Sequence, residues 1–219
     1  MPDTFAVHLP LEAGYLRRML FAVEVIDAVT LDPLTRGVVV TADGLINKPV
    51  INSGGIFVFL QEGAAVPLSV TIDAQKTYSE SITVAPPVAP ARSIRVELAP
   101  RVGYPFQPGV TAMRGGLVES VPADPTPVPG AEIWLQWLDD LSASWTDAPT
   151  RSHSDAKGDF AALLRLTPSQ MSRPVDGRTV SSRLRVRRGG VTRTSAQISL
   201  PTGRVADALP PFGWSELVP

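Results

Sequence analysis

The residues able to do chemistry sit in a few short stretches. Ser152-His153-Ser154-Asp155 brings together the residue types of a nucleophile, a base and an orienting acid. A working triad needs those groups to converge in space, and neighbours on an extended chain point to opposite faces. The expectation is therefore an exposed loop histidine; His8, the other histidine, lies in the N-terminal stretch. Asp155-Ala156-Lys157-Gly158-Asp159 has some of the acids of a calcium loop, but Lys157 stands where an oxygen ligand is needed, so an Asp/Gly turn is expected instead. Asp139-Asp140 and Asp147 form a second acidic cluster. Paired carboxylates serve acid/base chemistry only across a cleft, so these read as solvated loop acids. The glycine pairs Gly54-Gly55, Gly115-Gly116 and Gly189-Gly190 lack the Lys-Ser/Thr ending of a phosphate-binding loop and read as hairpin turns. The chain has no cysteine, which removes thiolate nucleophiles, disulfides and cysteine zinc sites together. No catalytic, metal-binding or cofactor-binding residue is assigned, no cofactor is expected, and the chain reads as a protein that is not an enzyme.

Two features suit partner binding. Arg183, Arg185 and Arg187 alternate with Leu184 and Val186, which places the three guanidiniums on one face of a strand. Arg178, Arg188 and Arg193 lie nearby, and no acid occurs between Asp176 and Asp207. This basic face could dock an acidic protein or nucleic acid, or it could be a solvated sheet face whose charges guard an edge from aggregation. The second feature is the tail from Pro201 to Pro219, which carries Phe212, Trp214, Leu217 and Val218 among prolines. Aromatic anchors on a preorganised extended arm suit a partner groove; the other reading folds the tail back on its own domain. Trp134, Trp137 and Trp145 read as core or interdomain packing, with a carbohydrate-stacking surface as the alternative.

The elements that position these residues are short strands. The 22 prolines are scattered so widely that few helix-length windows escape one. Between Leu20 and Leu98, seven strand-like segments alternate apolar and polar residues in about 80 residues, the count of a sandwich. Ser93-Ile94-Arg95-Val96-Glu97-Leu98 alternates without a break. The second half repeats the plan: Pro49 to Phe59 aligns with Pro149 to Leu163, Leu68 to Ile72 with Leu184 to Arg187, and Ser81 to Val84 with Gln197 to Leu200. The expected organisation is an N-terminal arm over 1–18, a sandwich over 19–99, a stiff Pro/aromatic linker over 100–108, a second sandwich over 109–200, and a Pro-rich C-terminal arm over 201–219. The fold class is all-β, two tandem Ig/transthyretin-like sandwiches with extended arms.

Composition narrows the setting. A net charge of −1 and 44% hydrophobic residues suit folded domains and give no whole-chain signal for nucleic acid. The N-terminus lacks a basic region followed by an apolar run, and Met19 to Val23 is cut by Glu24 and Asp27. The expectation is a cytoplasmic protein without a membrane span.

The stretch from Val128 to Leu164, with "PVPGAEIWL" and "SDAKGDFAALL", resembles the carboxypeptidase regulatory-like domain, a transthyretin-like sandwich. The small residue that ends that family's first turn falls at Gly130-Ala131, its Asp-x-x-Gly turn at Asp155 and Gly158, and its aromatic at Phe160. The first half, with Gly55 and Phe57, resembles a divergent copy without the Asp. "RRMLFAVEVIDAVT" and "YPFQPGVTAMRGGLVE" are similar to accessory proteins of phage tails and contractile injection particles. The resemblance implies a non-enzymatic structural protein that docks to protein subunits of a larger assembly as a cap, joint or decoration. It is compatible with a homo-oligomer; the alternative is a carbohydrate- or surface-binding accessory module.

Overall fold

The computed structural model of the chain describes residues 19–60, 69–74, 78, 82–86, 93–139, 142–167, 170 and 178–219. The expected arm over 1–18 lies outside the described residues. The architecture is all-β, as the alternation requires. The first half contains β1 (Met19–Asp27), β2 (Val38–Ala42), β3 (Val50–Ile51), β4 (Phe57–Leu60), β5 (Val70–Ala74), β6 (Ile82–Val84) and β7 (Ser93–Leu98). One sheet runs β3-β4-β1-β7 and another β2-β5-β6. Their inner faces meet in one cluster: Phe21, Val23 and Val25 of β1 and Phe57 and Phe59 of β4 pack with Val38 and Val40 of β2 and Val70 and Ile72 of β5. Phe21 and Phe59 stack at 4.7 Å between ring centroids. Each such fully buried side chain contributes about 1.5–3 kcal/mol.

The second half contains β8 (Thr111–Ser120), β9 (Asp124–Pro127), β10 (Glu132–Asp139), β11 (Ser144–Asp147), β12 (Ser152–His153), β13 (Asp159–Leu164), β14 (Thr179–Arg188), β15 (Val191–Thr194), β16 (Ile198–Pro201), β17 (Val205–Asp207) and β18 (Phe212–Gly213). A six-stranded sheet is built on β11-β10-β14-β15, with β12 on β10 and β16 on β14; a five-stranded sheet centres on β8, flanked by β13 and β17 and joined by β9 and β18. Ile133, Leu135 and Trp137 of β10 and Leu184 and Val186 of β14 pack against Met113, Leu117, Phe160 and Leu164 of the opposing sheet. Among the described residues, no strand of one half pairs with a strand of the other.

The pairings of the two halves correspond. β1 pairs antiparallel with β4 and parallel with β7; β8 does the same with β13 and β17. β5 lies between β2 and β6, as β14 lies between β10 and β16. Gly55 and Gly158, which precede β4 and β13, both have φ of +79°. At Gly158 a Cβ would sit 2.3 Å from the carbonyl oxygen of Leu117, so both the turn and its close approach to β8 require glycine.

This correspondence corrects the reading of the C-terminal segment as an extended arm. The counterpart of β7 is β17, which lies beyond Leu200, inside residues 201–219. Val205 to Asp207 runs parallel to Ala112 to Arg114, and Phe212-Gly213 pairs with Leu117-Val118. Leu217 is buried in the core of this half, and Val218 exchanges both backbone hydrogen bonds with Thr194. The sequence signal was weak because β17 is three residues long and its partner is more than 90 residues earlier in the chain.

Candidate interaction site

Alternation along β10 and β14 sends Ile133, Leu135, Leu184 and Val186 inward and the residues between them outward. On that outer face the register sets Glu132 opposite Arg187, Trp134 opposite Arg185, and Gln136 opposite Arg183. β11 adds Asp147 opposite Gln136 and Trp145 opposite Leu138. The three predicted arginines are therefore brought together, each in a different set of contacts. Arg187 pairs with the carboxylate of Glu132. Arg185 lies 5.4 Å from the Trp134 ring centroid and 4.0 Å from Asp147 Oδ1. Arg183 donates from Nε to Gln136 Oε1 at 2.5 Å, and its guanidinium lies 4.2 Å from the Trp145 ring centroid.

Arg151, just beyond β11, completes the layer. Its guanidinium lies 4.4 Å from the Trp134 ring centroid, and its Nη2 is 3.3 Å from Asp147 Oδ2. Trp134 and Gln136 are only 6% and 5% exposed although they point away from the core. The guanidiniums covering that face supply this burial, through apolar stems and cation–π contact. Trp137 belongs to the core cluster. Neither Trp134 nor Trp137 thus presents an open indole face, and Arg183 lies over one face of the half-buried Trp145. The sequence reads Trp134 and Trp145 as packing or stacking residues and Asp147 as a loop acid, not as partners of the arginines, and it does not single out Gln136 or Arg151. The alternation of β10 held the signal for Trp134 and Gln136, while nothing local placed Trp145 and Arg151 beside them.

The predicted tail residues lie within their own half. Leu217 is 6% exposed. Phe212 is half-buried and lines an open apolar groove of about 470 Å³ with Ile198, Leu200 and Ala206. Trp214 is held by Arg193, whose Nη1 donates to the Trp214 carbonyl at 2.8 Å and whose guanidinium lies 4.7 Å from the ring.

A second constellation, not foreseen from the sequence, sits where the halves meet. Asp27 ends β1 and is 4% exposed. Its Oδ1 accepts the Val29 amide at 2.7 Å; its Oδ2 accepts the hydroxyls of Tyr78 at 3.1 Å and Tyr104 at 2.5 Å. Burial, and then the charge of Asp27, push the Tyr78 phenol up to about 12. The same two causes, with a hydrogen bond to Asp27 between them in rank, raise Tyr104 still further. On the other side, Arg114 of β8 donates to the Tyr104 carbonyl at 2.7 Å and covers the Phe106 ring at 5.2 Å. Tyr104 and Phe106 pack at 4.9 Å, and Arg165 bridges to Glu97 at 2.7 Å. The segment expected as a stiff linker is thus bound by polar contacts on both sides.

The residues weighed for catalysis do not converge. Ser152 is buried and donates to the Ile133 carbonyl, Ser154 to the Val128 carbonyl, while His153 is exposed on β12 opposite Glu132. The Asp155 carboxylate accepts the amides of Lys157 and Asp159, which makes it the turn-forming residue. Among the described residues, no group of three His, Cys, Asp or Glu side chains gathers to hold a metal ion, and no helix is long and apolar enough to cross a membrane.

No protein-family model matches the chain. No curated protein matches it. Among solved structures, the Bacillus anthracis TIE protein is similar at 10% identity and a TM-score of 0.27, over 87% of this chain and 33% of that one. GBS52, the minor pilin of Streptococcus agalactiae, is similar at 9% identity and a TM-score of 0.25, over 86% and 93% of the two chains. The chain spans about a third of the first of these. At such TM-scores the likeness adds nothing to the architecture described above.

Proposed function

We propose that this chain is a non-enzymatic structural protein, two sandwich units held at a fixed joint, that docks to other subunits of a multi-protein assembly. The joint supports this reading most. Relative motion is the default for units joined by a short connection unless the contact between them is extensive. Here the connecting segment is tied to Asp27 on one side and to Arg114 on the other, and the Arg165–Glu97 pair links the halves directly. A fixed joint suits a part that sets the position of its neighbours, whereas a tether needs freedom. The resemblance to carboxypeptidase regulatory-like domains, and to accessory proteins of phage tails and contractile injection particles, supplies the setting: a cap, joint or decoration of a particle assembled in the cytoplasm.

The test is sedimentation of the tagged chain expressed in its native host, with light scattering on the purified protein. Co-migration of the chain with a particle of defined composition is the expected result. A chain that stays monomeric and remains wholly in the non-particulate fraction would sink the assembly reading.

A further inference from the structure

We propose that the outer face of β10 and β14 binds an extended acidic segment of a partner protein, with carboxylates at alternate positions. The inference rests on the docking role proposed above and names the partner chemistry of one face. Four guanidiniums, from Arg151, Arg183, Arg185 and Arg187, share this layer, and the carboxylates paired with them are those of Glu132 and Asp147. Positive charge is left over, and the contacts show where. Arg187 has Glu132, and Arg151 has Asp147 at 3.3 Å. Arg185 reaches Asp147 only at 4.0 Å, and the polar partner of Arg183 is the neutral Gln136. Buried polar atoms of the face are left without hydrogen-bond partners: Nε of Arg185, Nε1 of Trp134, and Oε2 of Glu132, which meets Arg187 as an ion pair. Buried donors without acceptors are rare in folded proteins.

Geometry selects the shape of the partner. Arginines at every second residue of a strand are about 6.7 Å apart, the same repeat as side chains on one face of any extended chain. An extended segment with acids at alternate positions therefore meets Arg183, Arg185 and Arg187 in step, and each carboxylate can be taken bidentately by a guanidinium. β15 continues the face with Thr192 opposite Arg187 and Thr194 opposite Arg185, which adds hydroxyls beside the charges. The stacking on Trp134 and Trp145 holds the guanidiniums in place before binding, so less side-chain entropy is lost.

The same contacts disfavour nucleic acid. Single strands bind to aromatic faces on which bases stack, and here guanidiniums lie over both tryptophans, two at Trp134 and one at Trp145. Glu132 and Asp147 would stand against a continuous phosphate backbone.

The experiment uses the full chain and three probes at low salt: an alternating Thr-Glu peptide of about ten residues, a peptide of the same composition with its glutamates in one block, and single-stranded oligothymidine. Binding is followed by calorimetry and tryptophan fluorescence. The alternating peptide is expected to bind about tenfold more tightly than the block peptide, to be released at about 0.5 M salt, and to lose its advantage in Arg183→Gln/Arg185→Gln. Arg185→Lys, which keeps the charge but removes the fork, is expected to weaken binding while the melting temperature holds. Equal binding of the two peptides, binding of neither, or tighter binding of oligothymidine overturns the inference. Sedimentation of the wild-type chain with its particle separates the two proposals: particle binding without peptide selectivity removes this inference and leaves the assembly role standing.

Discussion

The phenol of Tyr104 donates a 2.5 Å hydrogen bond to the carboxylate of Asp27, 77 positions earlier in the chain, and this contact anchors the connecting segment to the first sandwich. Removing the hydroxyl leaves a buried carboxylate with one donor fewer. Tyr104→Phe is expected to lower stability by about 1–3 kcal/mol, read from the midpoint of denaturant unfolding. Glu97→Gln breaks the Arg165 pair at the same joint, but both partners are partly exposed, at 24% and 42%. Its expected cost is under about 1 kcal/mol. A larger loss in Glu97→Gln than in Tyr104→Phe would place the anchor in the wrong contact.

The two tyrosines also set an alkaline limit. Burial, followed by the charge of Asp27, holds Tyr78 at about 12, and Tyr104 is raised further, against an ordinary value of 10.0. A raised folded value means that the folded chain keeps its protons while the unfolded chain begins to lose them near 10. The stabilisation is complete below pH 10 and falls as the pH rises through 10 toward 12. Thermal melts in that window should show a steep decline in the wild type, and a shallower one in Tyr104→Phe. Parallel declines would remove the joint from the alkaline response.

A chain ending at Leu200 loses β17, β18 and the buried Leu217. It is expected to unfold or aggregate in its second half, since the strand equivalent to β7 is gone. Leu217→Ala tests the same packing more gently, with an expected cost of about 2–4 kcal/mol in thermal unfolding. A truncated chain with an unchanged melting temperature would return the tail to the status of a free arm.

Gly130 and Gly158 separate two effects of a positive φ. Both lie in that region, at +69° and +79°, but a Cβ on Gly130 meets nothing within 4 Å while one on Gly158 lies 2.3 Å from the Leu117 carbonyl oxygen. Gly130→Ala is expected to cost about 1 kcal/mol and Gly158→Ala about 3 kcal/mol, measured by chemical denaturation. Equal costs would mean that the approach of this turn to β8 relaxes freely.

What could be read from the sequence follows the range of the interactions. Ser93 to Leu98 alternates apolar and polar residues, and it forms β7 with Val96 and Leu98 inward. The Asp155–Gly158 turn was legible because its chemistry is complete within five residues. The arginine row was legible too, since a strand fixes which side its neighbours face. Its partners Trp145 and Arg151 were not, because sheet pairing brings them in from β11 and the segment after it. The Asp27 constellation joins residues 51 and 77 positions apart through side chains alone. No local pattern marks such a contact. β17 was missed for a third reason: three residues are too few to show alternation, and parallel pairing carries no hairpin turn to announce it.

The parallel pairing of β1 with β7 has a mechanical consequence. The chain enters the first unit at Met19 and leaves it at Leu98, on adjacent strands that run the same way. Tension along the chain therefore pulls these strands past each other lengthwise, loading the backbone hydrogen bonds from Ala22–Ser93 to Asp27–Leu98 together. An antiparallel pair pulled from its open end would peel one bond at a time. Under such tension the pair resists as a shear clamp, and its yield under force depends on the register of two strands.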